Sequence, residues 1–408
     1  MKYGCIGEYL KHSFSKEIHA KIADYEYELC EIPKCELDEF MTRRDFTAIN
    51  VTIPYKERVI PHLYYIDGHA REIGAVNTIV NKGGRLYGYN TDFFGMCKLI
   101  RHSGIEVRGK KAAILGTGGT SKTAFAVLRA LGAGEILKVS REASCDAVNY
   151  AELYEKHSDV EIIVNTTPVG MYPGIDKSPV DISRFKSLSG VVDAVYNPLR
   201  TRLVSEAKAR GIPAEGGLYM LVAQGMRASE IFTDRKHPEG EIERVFRESI
   251  REKENIVLIG MPGAGKSTVG KLIANATGRE LIDTDELIVA DAGMSIPKIF
   301  EKLGEAAFRD FESAAIMRAA AKTSVIIATG GGAPLREKNV SALRQNGKIY
   351  FLDRPIGALL PTEDRPLARS ADDIRRLYRE RYDIYRATAD VIINADASAE
   401  AVMMEILK

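Results

Sequence analysis

The octapeptide Gly260-Met-Pro-Gly-Ala-Gly265-Lys266-Ser267 constrains this chain more than any other feature. It fits G-x-x-x-x-G-K-[ST] in full and follows a β-type apolar run at 255–259. A segment with Val269, Leu272, Ile273 and Ala276 on one helical face comes after it. Strand, glycine loop and helix in that order let backbone N–H groups turn inward around phosphates, with the helix N-terminus adding positive potential. The pattern predicts a phosphate-binding loop on a parallel α/β sheet. Gly263, Gly265 and Thr268 are expected at the phosphates, Lys266 at the β/γ end, and Ser267 on Mg²⁺ with ATP bound.

Two more strand-then-glycine events stand upstream, at 112–116 before GTGGTS and at 161–165 before TTPVGM. Such alternation predicts parallel α/β units. With 408 residues, two or three domains are expected. The stretch 233–255 is dominated by charge and marks a boundary near Lys253, yet Ile242, Val245, Phe246 and Ile250 keep helical spacing. Further upstream the sequence predicts a strand at 3–7, a helix near 17–28, a strand at 47–53, and a hairpin of 75–80 with 85–89 about Asn81-Lys-Gly-Gly84.

A net charge of +1 gives no electrostatic reason to expect nucleic acid or an anionic membrane as partner. No run approaches the length of a membrane span, and the N-terminal apolar run is too short for a signal peptide. Five cysteines without a CxxC pair make a poor disulfide or zinc framework, so a reducing cytoplasm is expected. Nothing in the chain specifies an oligomeric state. An anionic substrate must therefore be met by locally placed Arg and Lys.

Beyond the phosphate loop, Asp283 and Asp285 read as a strand end with two carboxylates at spacing two. One suits Mg²⁺ through water and the other an acceptor hydroxyl. GExxFRxxE at 304–312 places Arg309 on a helix, a glycine triplet ends a strand at 330–332, Asp364-Arg365-Pro-Leu lies in a charged loop, and Arg381 lies in a late helix. These six features, in order, resemble shikimate kinase over essentially the whole segment. The resemblance implies that Asp285, Arg309, Gly331 and Arg381 hold shikimate, with both guanidiniums on its carboxylate. It also implies that Asp285 meets the hydroxyl and Arg365 neutralises the transferring phosphate. The loop around Arg365 is shorter and more acidic than is usual in that family.

In the first half, Gly116, Gly118, Gly119 and Thr120 form a glycine turn between a strand and a helix, suited to a pyrophosphate. The next strand ends in Ser140-Arg141, and an Arg there favours a 2′-phosphate, hence NADP(H). Ser13 and Ser15, Asn50 and Thr52, Asn77, and Gln224 offer hydroxyls and amides suited to a polyhydroxylated ring. Lys56 and Asp92 add an amine and a carboxylate; the structural alternative for Asp92 is a helix cap before Phe93. SxS, NVTxPxK, GAVNT, NTD, GxGGxS, NTTPVGM, DAVYNPLxTxL and MLVxQ together resemble shikimate dehydrogenase over about 1–248. That resemblance implies that Lys56 and Asp92 are the catalytic pair and Thr166 a cofactor contact.

The expected architecture is an α/β substrate domain at 1–101, completed by 226–250, a Rossmann-like NADP domain at 102–225, and a P-loop α/β/α domain at 254–408. The expected activity is reduction of 3-dehydroshikimate followed by phosphorylation of shikimate. The rivals are a quinate/shikimate dehydrogenase joined to another small-molecule kinase, and a metabolite-sensing regulator without catalysis.

Overall fold

The computed structural model describes residues 2–10, 14–359 and 367–408. Its strands form three sheets. In the first, Tyr27–Glu31, Tyr3–Gly7 and Ala48–Val51 run parallel, and Thr78–Lys82 then pairs antiparallel with both Ala48–Val51 and Arg85–Tyr89. The register sets Cys5 beside Asn50 and Asn50 beside Thr78. Polar side chains 28 residues apart in sequence thus become neighbours.

The helix expected near 17–28 ends at Ile22, and Tyr27–Glu31 is a strand. Pairing with Tyr3–Gly7 decides it: cross-strand partners outweigh the local helical pattern. The hairpin forms with Asn81 Oδ1 accepting from Gly84 N at 2.8 Å, a side-chain closure of the turn.

The second sheet is wholly parallel, in the order Ala214–Glu215, Gly190–Asp193, Ile162–Asn165, Lys111–Leu115, Glu135–Ser140, Val148–Asn149. This is the doubly wound order, with the first strand at the switch point where a ligand crevice opens. Lys111–Leu115, Ile162–Asn165 and Gly190–Asp193 are almost entirely buried, as parallel strands covered on both faces must be.

The third sheet is also parallel, ordered Leu281–Asp283, Ile326–Ala328, Asn255–Ile259, Gly347–Asp353, Val391–Asn394. Its central strand is buried along its full length, and helix Lys266–Thr277 follows the glycine loop directly.

The chain divides into two compact units. One comprises Met1–Met171, Lys177–Asn197 and Thr201–Ile250; the other comprises Tyr172–Asp176, Pro198–Arg200 and Arg251–Lys408. The charged stretch contains the helix Glu241–Lys253, which buries Val245 and Phe246. Phe246 meets Tyr219 edge-on at 5.0 Å, so the first unit uses the helix's apolar face for packing. Among the described residues no helix is long and apolar enough to cross a membrane.

Candidate active sites

In the first unit, Lys56 Nζ donates to Asp92 Oδ2 at 2.7 Å, with side chains 20% and 12% exposed. Asp92 lies in the first turn of helix Thr91–His102, but it is not the cap. Asn90 accepts from Phe93 N and does that job. The carboxylate is left for the ammonium, and the cap reading of Asp92 is set aside.

Around this pair runs a buried amide–hydroxyl network. Asn77 Oδ1 accepts from Thr91 N at 2.7 Å, and its Nδ2 donates to Thr91 Oγ1 at 3.0 Å. Thr91 Oγ1 also donates to Gln224 Oε1 at 3.3 Å, from helix Leu218–Thr233. Asn50 accepts from Tyr27 OH at 2.7 Å and donates to the Asn77 carbonyl and to Thr78 Oγ1. Asn50, Asn77 and Gln224 are therefore gathered, each with its amide orientation set by hydrogen bonds. Tyr27, Thr78 and Thr91 supply that orientation and were not named as site residues from sequence: Thr78 and Thr91 stood inside the GAVNT and NTD motifs, while Tyr27 is brought in by the sheet register alone. Thr52 follows the strand Ala48–Val51, and Ser15 opens the helix Ser15–Ile22. Ser13 lies outside the described residues.

At the second sheet, Gly116 follows Lys111–Leu115 with φ +106°, where a Cβ would stand 2.9 Å from Thr166 Oγ1. Only glycine fits that turn. Gly118 and Gly119 face open space, and helix Gly119–Ala130 begins there without a side-chain cap. Uncapped N–H groups on an open backbone fit an approaching pyrophosphate. Thr120 sits in that helix's first turn. Thr166 donates its hydroxyl to the Leu115 carbonyl at 2.6 Å, which ties two strand ends together. Ser140 Oγ donates to the Glu142 carbonyl, and Arg141 is exposed beside it, free in space to meet a phosphate.

In the second unit a cavity of ≈ 570 Å³ is lined by Gly263, Gly265, Lys266, Ser267, Thr268, Asp283, Asp285, Arg309, Gly331 and Arg381. Every described residue expected at the kinase site is in that one cavity; Arg365 lies outside the described residues. Lys266 Nζ donates to the carbonyls of Gly260 and Met261 at 2.9 and 3.0 Å. Ser267 Oγ donates to Asp283 Oδ2 at 2.7 Å. Asp283 ends its strand and caps helix Thr284–Ala292 by accepting from Asp285 N, so Asp285 is in a helical turn. The two carboxylates are brought together by a helix start and not by strand alternation. A hydroxyl–carboxylate pair beside a phosphate loop fits Mg²⁺, which takes few protein ligands and keeps waters and phosphate oxygens.

Arg309 donates to Glu312 and Glu305, both at 2.9 Å. Burial lifts the Glu312 carboxyl above the usual carboxylate range, and Arg309 beside it pulls the other way. Arg381 donates to the Gly331 carbonyl at 3.1 Å, and Tyr385 OH donates to the same oxygen. A Cβ at Gly332 would stand 1.8 Å from Arg309 Nη1, so the glycine triplet is what admits the guanidinium. Glu312, the last residue of the GExxFRxxE motif, and Arg354 also line the cavity; Arg354 was not singled out from sequence, because it belongs to no motif with a local signature.

The shikimate kinase family matches residues 262–408, and the shikimate dehydrogenase substrate binding domain family matches residues 5–79. A shikimate dehydrogenase (NADP(+)) of Clostridium perfringens is 36% identical over 264 residues, spanning 60% of this chain and 97% of the relative. The crystal structure of shikimate dehydrogenase 1 from Peptoclostridium difficile is 36% identical, with TM-score 0.56, covering 61% of this chain and 98% of its own. A chorismate mutase/shikimate 5-dehydrogenase fusion protein from Clostridium acetobutylicum is likewise 36% identical, with TM-score 0.57, covering 60% and 96%. The chain therefore belongs to the shikimate dehydrogenase family, carries a shikimate kinase domain after it, and is a bifunctional enzyme of the shikimate pathway.

Proposed function

We propose that the chain reduces 3-dehydroshikimate to shikimate with NADPH and phosphorylates shikimate on its 3-hydroxyl with ATP and Mg²⁺, in the cytoplasm. The domain limits that go with this reading are 1–101 completed by 226–250 for the dehydrogenase substrate, 102–225 for NADP(H), and 254–408 for the kinase. Substrates are small molecules; nucleic acid and membrane are not partners.

The observation that carries the reading is the single cavity in which the phosphate loop and two guanidiniums, Arg309 and Arg381, stand together. A phosphate donor and a small carboxylate can both be held there. The nicotinamide would supply a hydride, and the nucleotide a phosphoryl group. In the first site Lys56 holds or releases the proton at the substrate's reacting oxygen, and Asp92 keeps the ammonium in place. Ser13, Ser15, Asn50, Thr52, Asn77 and Gln224 orient the ring. Gly116, Gly118, Gly119, Thr120 and Thr166 shape the pyrophosphate turn, with Ser140 and Arg141 at the 2′-phosphate. In the second site Gly263, Gly265 and Thr268 surround the phosphates with Lys266, while Ser267 and Asp283 hold Mg²⁺. Asp285 orients the hydroxyl, Gly331 lines the ring, Arg309 and Arg381 grip the carboxylate, and Arg365 meets the transferring phosphate.

A coupled assay tests the reading: 3-dehydroshikimate, NADPH and ATP–Mg²⁺ are supplied to the full chain, and shikimate 3-phosphate is measured. Both omission of NADPH and omission of ATP should abolish that product. Product formed from shikimate but never from 3-dehydroshikimate would refute the dehydrogenase half, and accumulation of shikimate alone would refute the kinase half.

A further inference from the structure

We propose that Arg354, which no sequence motif singles out, is a phosphate-binding residue of the kinase cavity. The proposal rests on the kinase reading given above. Arg354 is the residue directly after strand Gly347–Asp353. That strand pairs in parallel with Asn255–Ile259, the strand that delivers the phosphate loop. The two strand ends approach closely: a Cβ at Gly260 would stand 2.9 Å from the Leu352 carbonyl. Arg354 therefore leaves the sheet level with the loop. Its Nη1 is 4.0 Å from the position a Cβ would take at Gly265, the left-handed residue that caps helix Lys266–Thr277.

The cations lining this cavity are not equivalent. Arg309 is held by Glu305 and Glu312, Arg381 by the Gly331 carbonyl, and Lys266 by two carbonyls of the loop itself. Arg354 is half-buried, and its Nε is fully buried with no hydrogen-bond partner among the described residues. No described carboxylate pairs with it. A guanidinium partly withdrawn from water, without a counter-charge among the described residues and lining the same cavity as the Lys266 ammonium, raises the free energy of the unliganded site. An anion seated in the loop relieves both the desolvation and the like-charge repulsion. The planar fork of Arg matches phosphate oxygens with two parallel donors, which a lysine cannot do. The acceptor's carboxylate already has Arg309 and Arg381, so the nucleotide's phosphate chain is the anion that Arg354 serves.

The test uses the full chain with Arg354→Met, which keeps the apolar stem, and Arg354→Lys, which keeps the charge without the fork. Calorimetry measures affinity for ADP–Mg²⁺, for inorganic tripolyphosphate and for shikimate, and steady-state kinetics measures KM for ATP and for shikimate. Arg354→Met should weaken ADP and tripolyphosphate roughly 10- to 100-fold, the worth of a charged hydrogen bond, with shikimate affinity unchanged. Arg354→Lys should recover part of the loss. Tripolyphosphate binding unchanged while ADP weakens would place the guanidinium on the base and overturn the proposal. Equal weakening of nucleotide and shikimate would mean a structural role and overturn it too, as would no effect on either. A wild-type chain that binds ADP in an Arg354-dependent way but fails to phosphorylate shikimate would sink the acceptor assignment and leave this inference standing.

Discussion

Replacing Lys56 by Ala removes the only group within hydrogen-bonding distance of Asp92 Oδ2 among the described side chains that can both carry positive charge and yield a proton. The 2.7 Å contact and the limited exposure of both side chains mean that water replaces the ammonium poorly as a proton donor. The loss should therefore be the full worth of a positioned acid–base group, roughly 10²–10⁴-fold in turnover, or about 2.7–5.5 kcal/mol of barrier. The pair is not deeply buried, so its rupture should destabilise the fold by only about 1–2 kcal/mol, between the values for exposed and buried pairs. Loss of the reduced nicotinamide's near-ultraviolet absorbance follows the reductase, and shikimate-dependent ADP release follows the kinase in the same sample. Kinase turnover should be that of the wild type. Because Asp92 acts through Lys56, the double variant Lys56→Ala/Asp92→Asn should be little worse than Lys56→Ala alone. Near wild-type reduction by Lys56→Ala, or fully multiplicative losses in the double variant, would refute the pairing of roles.

Arg141→Ala should weaken NADPH roughly ten-fold or more and leave NADH nearly unchanged, since only the former carries a 2′-phosphate; equal effects in titrations of both cofactors would move the contact elsewhere. Gly332→Ala would drive a methyl group into the Arg309 guanidinium, and an ångström-scale displacement of that group should lower kinase kcat/KM for shikimate by roughly 10² with reductase rates unchanged. Normal phosphorylation by that variant would contradict the geometry. His19 is fully buried, stacked on Tyr27 at 3.9 Å, and burial lowers its pKa from 6.5 to about 3. Below pH 6.5 the unfolded chain takes up a proton that the folded chain refuses, so stability present at neutral pH is lost as pH falls, by up to about 2 kcal/mol between pH 6.5 and 5. Urea melts of His19→Phe should show a flatter dependence across that window, and an unchanged slope would assign the acid sensitivity to other groups.

The phosphate loop and the glycine turn at Gly116 were legible from sequence because each is a local device. Strand, turn and helix are contiguous, and the chemistry is done by backbone N–H groups whose placement needs glycine. Other features depended on partners far away in the chain. Residues 27–31 became a strand only because Tyr3–Gly7 lies beside them. Asp92 was released for Lys56 because Asn90 took the cap, and both options are open to a sequence reading NTDFF. Asp285 reached its place through a helix that Asp283 caps, not through strand alternation. The residues of NVTxPxK, GAVNT and MLVxQ announced polar chemistry, but the order of donors and acceptors among Asn50, Asn77, Thr91 and Gln224 came from the sheet register and one packed helix. Arg354 marks the limit most sharply. In sequence it is one arginine among many, and the proposed role comes from its emerging beside the phosphate loop on an adjacent parallel strand, half-buried and with no counter-charge among the described residues. Sequence by itself determined the chemistry carried by contiguous backbone and by residue type; tertiary structure decided every pairing across the chain, because hydrogen bonds and desolvation act through space over a few ångströms and take no account of sequence distance.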